Sequence, residues 1–181
     1  EGIEGGGGVF YWDGTKDTAE HNGGTIIDPL KVFPSNWTDT AQQTTWFTAG
    51  TGTGCWVRQY EDTININQFG NSAKGFQSAI ATHKNIDVSD EVTFLESINI
   101  NSVSGVTISG NGTITFVNCD GFLVENSNNI TIDSINIVFT VADYTAIRVY
   151  NSQKVSIVSC SITGGSFYDT TVYQVLETRI N

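Results

Sequence analysis

Apolar and polar residues alternate through residues 92–163, and the alternation repeats. Phe122-Leu-Val-Glu-Asn-Ser aligns with Ile147-Arg-Val-Tyr-Asn-Ser at an offset of 25. The same offset sets Ile130 over Val155, Ile135 over Cys160 and Ile137 over Ile162. Going back by 24, Ile98 matches Phe122, Ile100 matches Val124, Val106 matches Ile130 and Ile108 matches Ile132. Within a unit, Phe122 and Val124 face one way while Leu123 and Glu125 face the other, the two-residue period of a strand. A leucine-rich repeat would need its Leu-x-x-Leu-x-Leu ladder, which is absent, and a propeller blade would need about 40 residues. The pattern predicts a right-handed parallel β-helix, one coil per period, about four coils from Val92 to Gly164. Interior stacks are expected at Ile98–Phe122–Ile147, Ile108–Ile132–Ile157 and Val106–Ile130–Val155. Ser102, Asn126 and Asn151 fall at a turn, where stacked Asn amides can bond between coils and Asn tolerates a left-handed backbone.

A solenoid exposes a sheet edge over an apolar core at each end and needs caps. Residues 72–84 supply one. Ala73, Phe76, Ala79 and Ile80 form an apolar stripe, Asn71 or Ser72 can cap it, Gly70 ends the strand before it, and Lys84 suits its C-terminal end. At the other end, residues 172–181 alternate like a further strand, so a longer β-helix is expected. Residues 1–70 follow another habit. Val9–Trp12, Thr25–Ile27 and Cys55–Arg58 are short apolar runs between glycine-rich turns, with no helix pattern, and Gly50–Gly54 reads as a hairpin tip. Gly5–Gly8 reads as a flexible linker. The division expected is 1–63, a small Trp/Gly-rich β unit, and 64–181, the coils with their capping helix. The fold class is all-β.

Composition narrows the function. Eight basic residues stand against 19 acidic ones, a net charge of −11. The acidity is even along the chain, and it offers no electrostatic footprint for nucleic acid and none for anionic lipid. No run of about 18 apolar residues predicts a membrane helix. Cys55, Cys119 and Cys160 lack disulfide or zinc spacing, and Cys119 and Cys160 are expected as buried free thiols, suited to reducing surroundings. The first residue is Glu1, which reads as a processed or trimmed end.

Gly7-Gly-Val-Phe-Tyr-Trp-Asp-Gly-Thr15, His21-Asn-Gly-Gly-Thr-Ile-Ile-Asp-Pro29 and Gly54-Cys-Trp-Val-Arg-Gln-Tyr60 resemble the segment before the β-helix in bacteriophage tailspikes from phages of capsulated Gram-negative bacteria, such as Acinetobacter. Ile64-Asn-Ile-Asn-Gln-Phe-Gly70, the helix and the coils resemble the start of their pectate-lyase-like domain. An acidic stretch usual before the cap helix is missing at Asn71–Gln77. The resemblance implies a homotrimer in the virion tail, made in the host cytoplasm and attached to other tail proteins. It would bind bacterial surface polysaccharide and cleave it by hydrolysis or β-elimination, without a cofactor. The alternatives are a non-catalytic structural or receptor-binding part of the fibre, and a secreted pectate-lyase-like protein or adhesin. The Trp-rich opening and the free thiols argue against the last.

Glycoside hydrolysis needs two carboxyl groups, about 5 Å apart for retention or about 6.5–9.5 Å for inversion. The outward candidates are Glu125 and Asp133, on strands flanking one turn, and Asp143 in the loop Thr140–Thr145. Arg148 and Tyr150 are the substrate-binding candidates. A surface ion pair between Glu125 and Arg148 is the plainer reading. If it holds, the catalytic carboxylates lie beyond Asn181 or on a neighbouring subunit, and these 181 residues alone are inactive. The four tryptophans could stack on sugar rings, but packing of the small N-terminal unit is the stronger expectation. His21 and His83 accompany no nucleophile motif, so no Ser-His-Asp triad is supported. No calcium loop or other metal site is expected.

Overall fold

The computed structural model describes residues 7–60, 62–82, 85–141, 143–169 and 172–178. The first third is a small antiparallel sheet. Strand β1 (Phe10–Asp17) and β2 (Ile26–Ile27) flank β3 (Thr53–Arg58), in the order β1-β3-β2. The three apolar runs thus become the three strands. Arg58, buried, ties the sheet together. Its Nε donates to the Gly24 carbonyl at 3.0 Å, its Nη1 to the Gly7 carbonyl, and its guanidinium lies 4.4 Å from the centre of the Phe10 ring. The described end of the glycine run is therefore pinned, while Gly5 and Gly6 lie outside the described residues.

Two expectations for this unit are corrected. It does contain a helix, α1 (Thr40–Phe47). The Asp39 carboxylate accepts from the amides of Ala41 and Gln42, and Gln42 Nε2 donates back to Asp39 Oδ2 at 3.0 Å. That cap fixes the helix start. Only Gln43 and Trp46 of the helix are buried, so its apolar stripe is faint. The Gly50–Gly54 segment is not a hairpin tip. It leads from α1 into β3, whose first residue Thr53 pairs with Asp17.

β4 (Thr63–Asn65) begins the helix of strands. A 3-10 turn (Ile66–Phe69) ending at Gly70 follows it, so Gly70, with φ of 82°, closes a turn rather than a strand. The capping helix α2 is Ala73–Thr82, started by Ser72, whose Oγ accepts from the Gly75 amide at 3.1 Å. Ala73, Phe76, Ala79 and Ile80 are all buried, as the stripe predicts. His83 and Lys84 lie outside the described residues.

Thirteen strands follow α2: β5 (Asn85–Asp87), β6 (Glu91–Phe94), β7 (Ile98–Asn101), β8 (Ser104–Ser109), β9 (Thr113–Phe116), β10 (Phe122–Glu125), β11 (Asn128–Asp133), β12 (Asn136–Phe139), β13 (Thr145–Tyr150), β14 (Ser152–Val158), β15 (Ser161–Thr163), β16 (Ser166–Asp169) and β17 (Val172–Thr178). Together with β4 they pair in parallel as three sheets, β17-β14-β11-β8-β5-β4, β15-β12-β9-β6 and β16-β13-β10-β7. Each coil gives one strand to each sheet, and among the described residues four coils are complete. This is the parallel β-helix expected. The three predicted stacks form in register, with every member buried. A fourth, Phe94–Phe116–Phe139, runs up the second sheet with ring centres 5.8 and 5.4 Å apart. Phe76 of α2 plugs the end of this core, 5.6 Å from Phe94 and 6.0 Å from Phe122 between ring centres. The tail expectation also holds in part, since Val172–Thr178 is a strand paired with β14.

The turn after the third sheet carries the Asn ladder. Asn126 Nδ2 donates to Asn101 Oδ1 at 3.2 Å, and Asn151 Nδ2 to Asn126 Oδ1 at 2.6 Å. Ser102, Asn126 and Asn151 all have positive φ, at 57°, 49° and 47°. The ladder ends on Asn101 rather than on Ser102, whose hydroxyl instead donates to Asn101. Beside it, buried Ser127 and Ser152 satisfy backbone groups of neighbouring coils, including a bond from the Ser127 amide to Ser152 Oγ at 3.0 Å.

Candidate functional site

The outer face of the β7-β10-β13-β16 sheet brings three of the candidate residues together. Strand alternation sends Leu123 and Glu125 of β10 outward, and parallel register aligns them with Arg148 and Tyr150 of β13. One row therefore runs Asn99, Leu123, Arg148 and the next runs Asn101, Glu125, Tyr150. Arg148 is the diagonal neighbour of Glu125, and its Nη2 donates to Glu125 Oε1 at 3.4 Å. Both side chains stay substantially exposed, at 40% and 33%, so the pair contributes no more than about 1 kcal/mol. The expected surface ion pair is thus formed. Tyr150 is 51% exposed at the strand end, next to the Asn ladder. The face offers a carboxylate acceptor, a guanidinium donor, amides and an aromatic plane, a mixture suited to a ligand rich in hydroxyl groups.

The remaining candidates stand apart. Asp133 ends β11, on the neighbouring sheet, and its Oδ1 accepts from Ser134 Oγ at 2.9 Å. The length of β11, about 16 Å, separates it from the turn beside Glu125. That exceeds the spans used by two-carboxylate hydrolysis. Asp143 is exposed in the loop before β13, at the opposite end of that strand from Tyr150. The register neighbours of Glu125 are Asn101 and Tyr150, neither a carboxylate.

The tryptophans divide. Trp46 is buried and Trp37 packs edge-on against Phe33, as a core role predicts. Trp12 and Trp56 are half-exposed and meet each other edge-to-face at 5.3 Å, which corrects the expectation that all four pack the unit. They pair across β1 and β3 on a face that no described element covers fully. His21 is structural. Its ring bonds the Trp46 carbonyl through Nε2 and accepts from the Asp28 amide through Nδ1. Burial pushes its pKa down, against the smaller upward pull of the Trp46 carbonyl, so a neutral ring fits this setting. His83 lies outside the described residues.

Cys55 and Cys160 are buried, Cys119 is partly buried, and all three are free thiols. Burial raises each thiol pKa, which makes them poor nucleophiles. Among the described residues, no group of three His, Cys, Asp or Glu side chains is placed to hold a metal ion. No helix of the described residues is long and apolar enough to cross a membrane.

Residues 1–61 match the family model of the phage tail protein small four-stranded beta-sheet domain. Among the described residues of that stretch the sheet has three strands. No curated protein and no solved structure matches the chain. The matched stretch ends two residues before β4, where the coils begin. The similarity of the first third of the chain to that domain supports a phage tail protein, associated with other proteins of the virion tail.

Proposed function

We propose that this chain is the receptor-recognising part of a phage tail protein. Residues 1–63 act as the neck that meets other tail proteins, and residues 64–181 as the body that meets bacterial surface polysaccharide. The working unit is a homotrimer in the virion, acting at the cell surface. The observation that carries this reading is the junction itself. A stretch similar to a phage tail domain passes, through a plugged cap, into a β-helix whose outer face holds Glu125, Arg148 and Tyr150 within one strand spacing. Tyr150 offers a stacking surface to a sugar ring, Arg148 donates to ring substituents, and Glu125 accepts from hydroxyl groups. The 3.4 Å ion pair is loose enough to exchange one partner for a ligand. Cleavage of the polysaccharide is the fuller form of the tailspike reading. It needs a second acid group beside Glu125, from another subunit or from further chain, because Asp133 and Asp143 are not beside it.

The test is an array of capsular and O-antigen polysaccharides from Gram-negative bacteria, probed with the fluorescently labelled chain. Binding to at least one glycan is expected, weakened about tenfold by Tyr150→Ala and unchanged by Asp133→Asn. Binding to none, or binding indifferent to both Tyr150→Ala and Arg148→Ala, would overturn the proposal.

A further inference from the structure

A concave surface is built from elements other than those of the coil face. The N-terminal sheet and the capping helix leave between them a cleft of about 590 Å³. One wall is Tyr11 of β1 with Val57 of β3 and Tyr60 just beyond it, and the other is Ser78 and Thr82 of α2. The volume falls in the range of small-ligand sites, about 300–1,000 Å³. The cleft exists only because the two parts dock. Ser78 Oγ donates to the Asn22 carbonyl at 2.7 Å, which fixes the helix against the sheet unit.

We propose that this cleft binds an uncharged or N-acetylated oligosaccharide. Tyr11 and Tyr60, 48% and 47% exposed, bring two phenol rings to the lining of the cleft. Such rings suit the C–H-rich side of a pyranose, and the hydroxyls and carboxylates around them suit its polar rim. Asp13 and Glu20 line the cleft as acceptors. Hydrogen bonds from the Thr15 hydroxyl and amide hold the Asp13 carboxyl below the usual carboxylate range, so it accepts rather than donates at neutral pH. The one lysine of the lining, Lys16, is already paired with Glu20 at 2.6 Å. The lining thus carries a surplus negative charge on a chain of net charge −11, which opposes a polyanionic glycan. His21 and Asn22 at the back turn their polar atoms to the protein, His21 to Trp46 and Asp28, and Asn22 Oδ1 to the amides of Gly24, Thr25 and Ile26. They form a rigid floor. This inference goes beyond the coil-face reading and does not rest on it.

Saturation-transfer NMR on the full chain tests the proposal with chitotriose, cellotriose and trigalacturonate as probes. Transfer to the ring C–H protons of chitotriose or cellotriose is expected, with trigalacturonate silent. Tyr11→Ala should weaken the bound trisaccharide about tenfold. Thr82→Trp, at an exposed helix position, should block the cleft without disturbing the fold, and Tyr150→Ala should change nothing. Silence of both uncharged trisaccharides overturns the proposal, as does transfer that survives both Tyr11→Ala and Thr82→Trp. Equal transfer to trigalacturonate overturns the charge argument and with it the ligand class. A fall in oligomer mass on Tyr11→Ala, with no sugar signal from the unaltered chain, assigns the cleft to a second copy of the chain instead.

Discussion

Asn126 shows how one side chain can serve two needs at once. Its backbone is left-handed, at φ of 49°, and its amide bonds both to Asn101 below and from Asn151 above. A β-branched residue would meet the steric cost of that backbone, about 1–2 kcal/mol, and would break the ladder as well. Asn126→Val should therefore destabilise the fold by about 2 kcal/mol, and Asn126→Gly, which keeps the backbone geometry, by less than half of that, as read by urea unfolding. Equal losses would mean that the ladder alone matters. This residue was legible from the sequence because Asn recurs at one offset. The Glu125–Arg148 pair was legible for the same reason, since register fixes which outward residues are diagonal neighbours. The exposure of Trp12 and Trp56 was not legible. Four tryptophans in so short a stretch fit a core by size, and only the pairing of β1 with β3 reveals that two of them share an outer face. The cleft was equally hidden, because its walls come from residues some 70 positions apart that no local pattern relates.

At the scale of elements, the capping helix α2 decides whether the first coil is sealed. Its apolar stripe was readable because helical spacing and a serine cap coincide, and the coil strands from β5 to β14 were readable because each buries residues on one face. Helix α1 escaped because few of its residues are buried, although Asp39 and Gln42 already stand at cap spacing. The coil period also drifts. Ile86 to Ile108 spans 22 residues, whereas Ile132 to Ile157 spans 25, so the lowest coil is shorter than the repeat suggested. Phe76 meets Phe94 and Phe122 with no exposure of its own. Phe76→Ala should cost about 3–5 kcal/mol in chemical unfolding, as for a large aromatic lost from a packed core. Gln77→Ala, on the same helix but half-buried, should cost under about 1 kcal/mol. Similar small losses for both would show that α2 rests on the coils without plugging them.

At the scale of the whole molecule, the proposed assembly makes the chain one unit of a virion tail. The similarity of residues 1–61 to a phage tail domain is its firmest support. Exposed large apolar side chains concentrate in the same third, among them Trp12, Leu30, Val32, Phe33 and Trp56, whereas among the described side chains of the coils those exposed are Leu95, Val141 and Tyr150. Subunits that meet through that region would remove this surface from water, each square ångström contributing about 25 cal/mol. Multi-angle light scattering of the purified chain tests this most directly. A single species of three times the 19.6 kDa chain mass is expected, reduced to one by the paired change Trp12→Ser and Trp56→Ser. A stable monomer at every concentration would contradict it and would favour a free-standing β-helix protein.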